Sequence, residues 1–410
     1  MKHANRLFVL LAVCAILVNV DFTFAQDWPQ WRGTNRDGKV AGFKAPAKWP
    51  AELTQKWKIT VGTGDATPAL VDGKLYVFSR IDANEVIQCL DAASGKKLWE
   101  DKYAAQTLTG GPGSHGGPRS SPAVSDGKVV TLGVDGVLSC LDKNSGKVVW
   151  RKDEFKAVPK FFPAMSPIIV DKMCIAHLGG SNQGYIIAFD LDTGKEKWRW
   201  SGDGPEYSSP VLLTADKIKQ VVFPTEKNIV GIAVEDGRLL WQVSTAGQQM
   251  AFNCATPIVD DQTVIYTKKG IGTKALTVQK QGNSFNVKEL WSNSEYAAEF
   301  NTPVLKDGLL YGLSERGRLY CMNAGTGQLA WADGTSHKNF GSLLDAGSVI
   351  LALTSDPDFI VFKPDGTKYN EIARIKVADT PVYAHPVISG NVIYVKDEKT
   401  LTMFTVESNG

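Results

Sequence analysis

Eight short segments of this chain carry the residue types from which a binding or catalytic site could be assembled. Each opens on a small and a hydroxyl residue before a proline: Ala66-Thr67-Pro68, Ser120-Ser121-Pro122, Met165-Ser166-Pro167, Ser208-Ser209-Pro210, Ala255-Thr256-Pro257 and Asn301-Thr302-Pro303. Gly341-Ser342-Leu343 and Ala384-His385-Pro386 are looser versions. Three residues before the proline position stand Asp65, Arg119, Ala164, Tyr207, Cys254, Phe300, Phe340 and Tyr383. One residue earlier stand Glu206, Asn253, Glu299 and Asn339. With His115, Asn301, Lys338 and His385 these positions mix aromatic rings, carboxylates, amides and cations. Such a set can hold a ligand or a metal, or grip a peptide; it can also be ordinary hydrogen bonding around a water-filled channel. Tyr207, Phe300, Phe340 and Tyr383 offer stacking surfaces for a carbohydrate. His115 lies within a Gly-rich stretch, Gly110-Gly-Pro-Gly-Ser-His-Gly-Gly117, which lacks the Lys-Ser/Thr and following helix of a phosphate loop.

These segments need a scaffold that brings them together, and the intervening sequence describes one. Cys140-Leu-Asp-Lys-Asn-Ser-Gly-Lys-Val-Val-Trp150 is nearly repeated at Cys89–Trp99 and more loosely at Phe189–Trp198, Ala233–Trp241 and Cys321–Trp331. Between an opening and its tryptophan come a short strand, a tight turn such as Asp72-Gly73, Asp126-Gly127 or Asp307-Gly308, and two further strands. Asp-Gly between apolar runs is a strong hairpin signal, because the turn needs positive φ. Four antiparallel strands per repeat make a propeller blade.

The repeat tryptophans Trp57, Trp99, Trp150, Trp198, Trp241, Trp291 and Trp331 recur every 40 to 51 residues, and Ile375 takes the eighth position. The expectation is an all-β, eight-bladed propeller, with seven blades as the alternative. The ends differ in phase. Trp57 lies on a fourth strand with no three before it, and the last repeat has three strands and no fourth. The N-terminal strand should therefore complete the last blade and remove the open edge. The tryptophans are read as structural docking groups, whose large rings bury area between blades and whose N–H needs one acceptor.

Composition narrows the function. Among 410 residues, 45 basic side chains nearly balance 43 acidic ones, without a long basic run, which argues against nucleic acid and against a polybasic membrane contact. Residues 1–25 read as a signal peptide cleaved near Ala25/Gln26, with Lys2 and Arg6 before the apolar run Leu7–Val20. No later stretch is long and apolar enough to span a bilayer. The expected product is a secreted or periplasmic monomer. Cleavage leaves five cysteines, an odd number that is no disulfide framework, and no Cys/His spacing suggests zinc. The residues themselves point to no metal and no cofactor. Residues 26–52, rich in Trp and Gly, read as an irregular capping segment, and 53–407 as one propeller domain.

The Leu-Asp-x-x-x-Gly-Lys-x-x-Trp pattern at 90–99 and 141–150, Gly117-Pro-Arg-Ser-Ser-Pro122, and the opening Asp27-Trp-Pro-Gln-Trp-Arg-Gly33 resemble the pyrroloquinoline-quinone (PQQ)-like β-propeller repeat family, in its exported bacterial branch. The resemblance runs from about residue 27 to 406. It implies an eight-bladed propeller with tryptophan docking, and two kinds of function. One is a non-catalytic scaffold, as in outer-membrane assembly, with a protein partner or another envelope ligand at the propeller face. The other is a PQQ- and Ca²⁺-dependent alcohol or polyol dehydrogenase. A dehydrogenase would draw on Glu206 or Glu299 as metal ligand or base, Asn253 or Asn301 as metal ligand, and Arg119 or Lys338 for the cofactor carboxylates. The family's enzymes stack the quinone between adjacent cysteines and a tryptophan. Here no two cysteines adjoin, and Trp28, Trp31 and Trp49 are assigned to the cap, so the platform is missing from the sequence. The scaffold reading leads, with the dehydrogenase and a carbohydrate-binding propeller as alternatives.

Overall fold

The computed structural model describes residues 26–108, 115–245, 247, 251–282 and 284–407. The signal-peptide reading and Gly110–Ser114 of the Gly-rich stretch lie outside them. The described residues contain strands but no helix, and the strands form eight four-stranded antiparallel sheets. The first blade shows the plan. Ala69–Val71 pairs with Lys74–Ile81, that strand with Asn84–Asp91, and that one with Lys97–Ala104. Asp72 and Gly73 make its first turn at φ of 50° and 68°, as the Asp-Gly sequence requires. The inner strands are buried along their length, whereas the outer strand alternates between half-buried and exposed positions. This gradient separates faces packed between two blades from an edge that meets water.

The eighth sheet closes the ring. Thr54–Thr60 pairs antiparallel with Thr400–Thr405 and completes the blade begun by Val387–Ser389 and Val392–Lys396. Trp57 thus belongs to the last blade although it comes first in sequence. No edge is left open between the two ends of the array.

Neighbouring blades are joined at two radii. At the rim, each repeat tryptophan reaches into the turn of the next blade. The indole N–H groups of Trp57, Trp99, Trp150, Trp198, Trp291 and Trp331 donate to backbone carbonyls of Ala92, Lys143, Leu191, Val234, Ala324 and Asp365, at 2.6 to 3.2 Å. The turn glycine is the seat for the ring. A Cβ on Gly146 would stand 2.5 Å from Trp99, and one on Gly194 2.7 Å from Trp150. The repeat glycine therefore serves packing as well as the turn. Trp241 is the exception and bonds Gln220 of its own blade at 2.6 Å. The next blade has no such turn there, but a long hairpin of Gly272–Gln281 and Ser284–Asn293, whose Phe285 and Val287 pack beside Trp241. The eighth docking position falls on Ala373, which follows the strand bulge as the tryptophans do, and not on Ile375, which lies buried two residues farther along.

Near the axis the opening hydroxyls join the blades. The backbone N–H groups of Thr67, Ser121, Ser166 and Thr256 donate to the side-chain oxygens of Ser121, Ser166, Ser209 and Thr302 in the following blades, and His385 N–H donates to Thr67, all at 2.9 to 3.0 Å. A hydroxyl before a proline suits this place. It satisfies a buried N–H that has no strand partner, and the proline itself needs none.

Candidate functional site

Along each inner segment the chain passes from the residue three before the proline, through the hydroxyl ring, to the proline carbonyl. These levels define the two ends of the channel.

One end is filled by the segment beginning at Gln26. The Trp28 backbone pairs with Leu70 in the first blade, and Pro29 accepts the Val124 N–H in the second. The buried Arg36 guanidinium donates to Ser166 O at 3.2 Å and to Pro167 O in the third blade, and to Pro210 O in the fourth at 3.0 Å. Trp31 Nε1 donates to the Thr256 hydroxyl in the fifth at 2.9 Å. Arg32, 1% exposed, donates to Thr302 O and Pro303 O in the sixth, each at 3.0 Å. Val40 and Gly38 pair with Asp345 in the seventh, and Gln26 bonds the Ser389 side chain in the eighth. Fifteen residues thus touch every blade. Burial pushes Arg32 down to about 10 and Arg36 to about 9, so both stay charged at neutral pH. The expectation of a capping segment understates its depth, since it plugs the axis.

The other end is a cavity of about 660 Å³. All eight residues at the position three before the proline line it: Asp65, Arg119, Ala164, Tyr207, Cys254, Phe300, Phe340 and Tyr383. Of the residues one position earlier only Glu299 does so, because an extended chain alternates its sides. His115, Asn301 and His385 also line it. Four of the sequence-derived positions do not, Asn339 among them, which reaches the lining only through its bond to Glu299. Glu206 turns away into a separate small void beside His177, where its Oε2 has no partner and burial pushes its carboxyl up to about 8. Asn253, 3% exposed, spends its amide on Thr225 O and the Thr245 hydroxyl. Lys338 pairs with Asp356 in a shallower groove at the rim.

Sequence reasoning missed Phe161, Phe252 and Trp31. The first two sit on irregular segments with no periodic signal, and with Tyr207 they form one wall, centroids 5.4 to 6.1 Å apart and the closer pairs at 80° and 89°. Across the cavity, Phe300 and Phe340 stack at 4.2 Å and 3°, and Tyr383 meets Phe340 edge-on at 5.3 Å. Trp31 and His385, 4.4 Å apart, belong to the lining as well. The assignment of Trp31 wholly to the cap is therefore corrected: the plug carries its indole into the cavity.

The charged groups of the lining are all engaged. Asp65 pairs with His115 Nδ1 at 2.7 Å. Glu299 takes Lys269 at 2.9 Å on one oxygen and the Asn339 amide at 3.1 Å on the other. Arg119 donates to Phe161 O at 2.6 Å and to His115 O at 3.3 Å, and burial lowers its pKa. Asn301 spends both ends of its amide on the Leu313 backbone. Burial holds the Cys254 thiol neutral and keeps His385 well below the ordinary histidine value.

With this geometry in place, sequence comparison identifies the chain's relatives. A family profile described as outer membrane protein assembly factor BamB matches residues 83–333, more than half of the sequence. The chain belongs to this family. BamB of Burkholderia pseudomallei (strain K96243) is 24% identical over 361 residues, covering 84% of this chain and 85% of that protein. The quinohemoprotein alcohol dehydrogenase of Comamonas testosteroni is 30% identical over 150 residues, covering 36% of this chain and 21% of the enzyme. The chain therefore matches about a fifth of the length of that dehydrogenase. The crystal structure of the Comamonas enzyme superposes with a TM-score of 0.71 at 16% identity, over 95% of this chain and 82% of that one, and this likeness speaks for the fold alone. The resemblance to PQQ-like propellers holds, and BamB and the dehydrogenases share the architecture.

The cavity does not fit PQQ with Ca²⁺. A tricarboxylate needs cationic donors in excess, but Arg119 and Lys269 are offset by Asp65 and Glu299 and are already bonded. Among the described residues no three His, Cys, Asp or Glu side chains gather as metal ligands. The residues drawn on by the dehydrogenase reading are scattered: Glu206 and Asn253 lie outside the cavity, Lys338 at its rim, and the amide of Asn301 is consumed.

Proposed function

We propose that this member of the BamB family is a non-catalytic binding scaffold of the cell envelope, holding a protein or another envelope ligand at the open face of the propeller. The observation that carries this reading is the engagement of every charged group in the cavity lining. A cofactor clamp needs cations free to meet its carboxylates; here the guanidinium is bound to backbone carbonyls and the ammonium to a carboxylate. The assembly-factor description of the Burkholderia pseudomallei relative, and its alignment over most of both chains, support the same reading. The leader reading of residues 1–25 supports secretion or a periplasmic place. Among the described residues no helix is long and apolar enough to cross a membrane.

A carbohydrate-binding role has weaker support, because Phe340 is covered by Phe300 on one side and faces His115 at 6.5 Å and 24° on the other. Sugar stacking needs an open ring face. The scaffold reading is tested by crosslinking in intact envelopes followed by purification of the tagged protein. A reproducible stoichiometric partner is expected. No partner, together with dye-linked alcohol oxidation by the purified protein, overturns it.

A further inference from the structure

We propose that the axial cavity is a binding site for an uncharged aromatic ring group, seated between the Phe161–Tyr207–Phe252 and Phe300–Phe340–Tyr383 walls and hydrogen-bonded by His385. The inference deepens the scaffold reading and rests on it for its biological setting, but the binding chemistry is independent of any partner.

His385 is the polar group on which the site turns. The side chain is 3% exposed and lines the cavity, yet its Nδ1 is buried without a hydrogen-bond partner among the described residues. An unpaired buried polar group costs about 1–3 kcal/mol. Native proteins leave few such groups, and many of those are completed by a ligand or water. Trp31 packs against the same ring, so the imidazole is fixed in place.

The walls select the ligand. Phe161 and Tyr207 each meet Phe252 edge-to-face, an arrangement that presents both ring edges and ring faces to an incoming ring. The opposite wall is an aromatic stack ending in the half-exposed Tyr383. The size falls within the range of about 300–1,000 Å³ usual for organic ligands. Charge is disfavoured: Lys269 is paired with Glu299, Arg119 is spent on backbone carbonyls with Asp65 offsetting its charge, and His385 is held neutral. A desolvated, unpaired carboxylate beside these rings would be costly.

The same chemistry can come from a free small molecule or from an aromatic side chain on a polypeptide, and the experiment separates the two. Purified full-length protein is titrated calorimetrically with 2-naphthol, naphthalene, 2-naphthoate, 1-octanol and N-acetyltyrosinamide. 2-Naphthol is expected to bind at least about tenfold more tightly than 2-naphthoate or octanol, a difference of about 1.4 kcal/mol. His385→Phe, which keeps an aromatic ring, should abolish the advantage of 2-naphthol over naphthalene while leaving naphthalene binding in place. If that variant fails to fold, Phe252→Ala should weaken naphthalene and 2-naphthol alike. Cys254, half-buried where the other described cysteines are fully buried, lines the cavity and gives the location: bound 2-naphthol should slow its alkylation, read by mass spectrometry of its peptide. Tighter binding of N-acetyltyrosinamide than of 2-naphthol assigns a polypeptide source, and the reverse a free ligand; either keeps the site. Octanol or naphthoate binding as tightly as 2-naphthol, no binding by any probe, or no protection of Cys254 overturns the proposal. Probe binding without a crosslinked partner retains the site and removes the scaffold reading; a partner without probe binding does the opposite.

Discussion

The two ends of the channel are built from the same inner segments and treat polar groups in opposite ways. At the plugged end, Arg32 and Arg36 enter the axis and their N–H groups meet proline and hydroxyl-residue carbonyls from three blades. At the open end the charges have been turned on each other, as in Lys269–Glu299, and the remaining surface is aromatic. The difference shows how a symmetric ring becomes a one-sided binding object. Eight blades present carbonyls that only a donor-rich, irregular segment can satisfy, and once that segment seals one face, the other is the place where blade-specific side chains meet.

The largest expected loss lies at the plug. Arg36→Leu leaves carbonyls of the third and fourth blades unpaired, and should cost about 3–5 kcal/mol in urea unfolding. Arg36→Lys should recover only part of this, because one ammonium cannot span two blades with the guanidinium's geometry. A loss below about 1 kcal/mol would mean that the segment caps the ring without holding it.

The next comparison asks how much closure depends on the rim. Gly146 and Gly127 have similar φ, 72° and 76°, but a Cβ on Gly146 meets Trp99 whereas one on Gly127 meets nothing within 4 Å. Both Val variants carry the backbone strain, about 1–2 kcal/mol. Gly146→Val should cost roughly 1–3 kcal/mol more, through overpacking at the tryptophan seat. Equal thermal shifts for the two variants would remove the seat from the account.

At the open end, Glu206 sits behind the wall carrying Tyr207. Its folded carboxyl is raised by burial to about 8 from 4.5. A raised carboxyl contributes stability that is full below the unfolded value and is lost as pH rises through the folded one. Glu206→Gln should therefore match the wild type near pH 4.5 and exceed it by up to about 5 kcal/mol above pH 8. A constant difference across that window would place the carboxylate in water. The smallest effect belongs to Lys269→Met. Its ammonium side is 47% exposed, and removing it should change stability by no more than about 0.5 kcal/mol in the same assay.

How far this was readable from sequence follows from which features repeat. The Asp-Gly turns, the tryptophan spacing and the phase mismatch at the ends recur or are forced by recurrence, and they yield eight blades and the closing strand. The row from Asp65 to Tyr383 was legible by the same logic, since one offset from the proline places all eight side chains. Glu206 and Asn253, one residue earlier, were assigned to the mouth although alternation turns them away. Phe161 and Phe252 lie on single, non-repeating segments. Arg32 and Arg36 resemble surface residues of an irregular stretch, because the carbonyls that bury them come from blades 130 to 271 residues away. Trp241 kept the repeat pattern and changed its partner, since the change lies in the hairpin of the next blade.

The central claim is that this propeller binds without a redox cofactor. Calorimetry of the purified protein with PQQ and Ca²⁺, from micromolar to millimolar ligand, tests it most directly when run beside a dye-linked alcohol oxidation assay. The account predicts no saturable heat and no oxidation. Micromolar, calcium-dependent PQQ binding with alcohol turnover would contradict it.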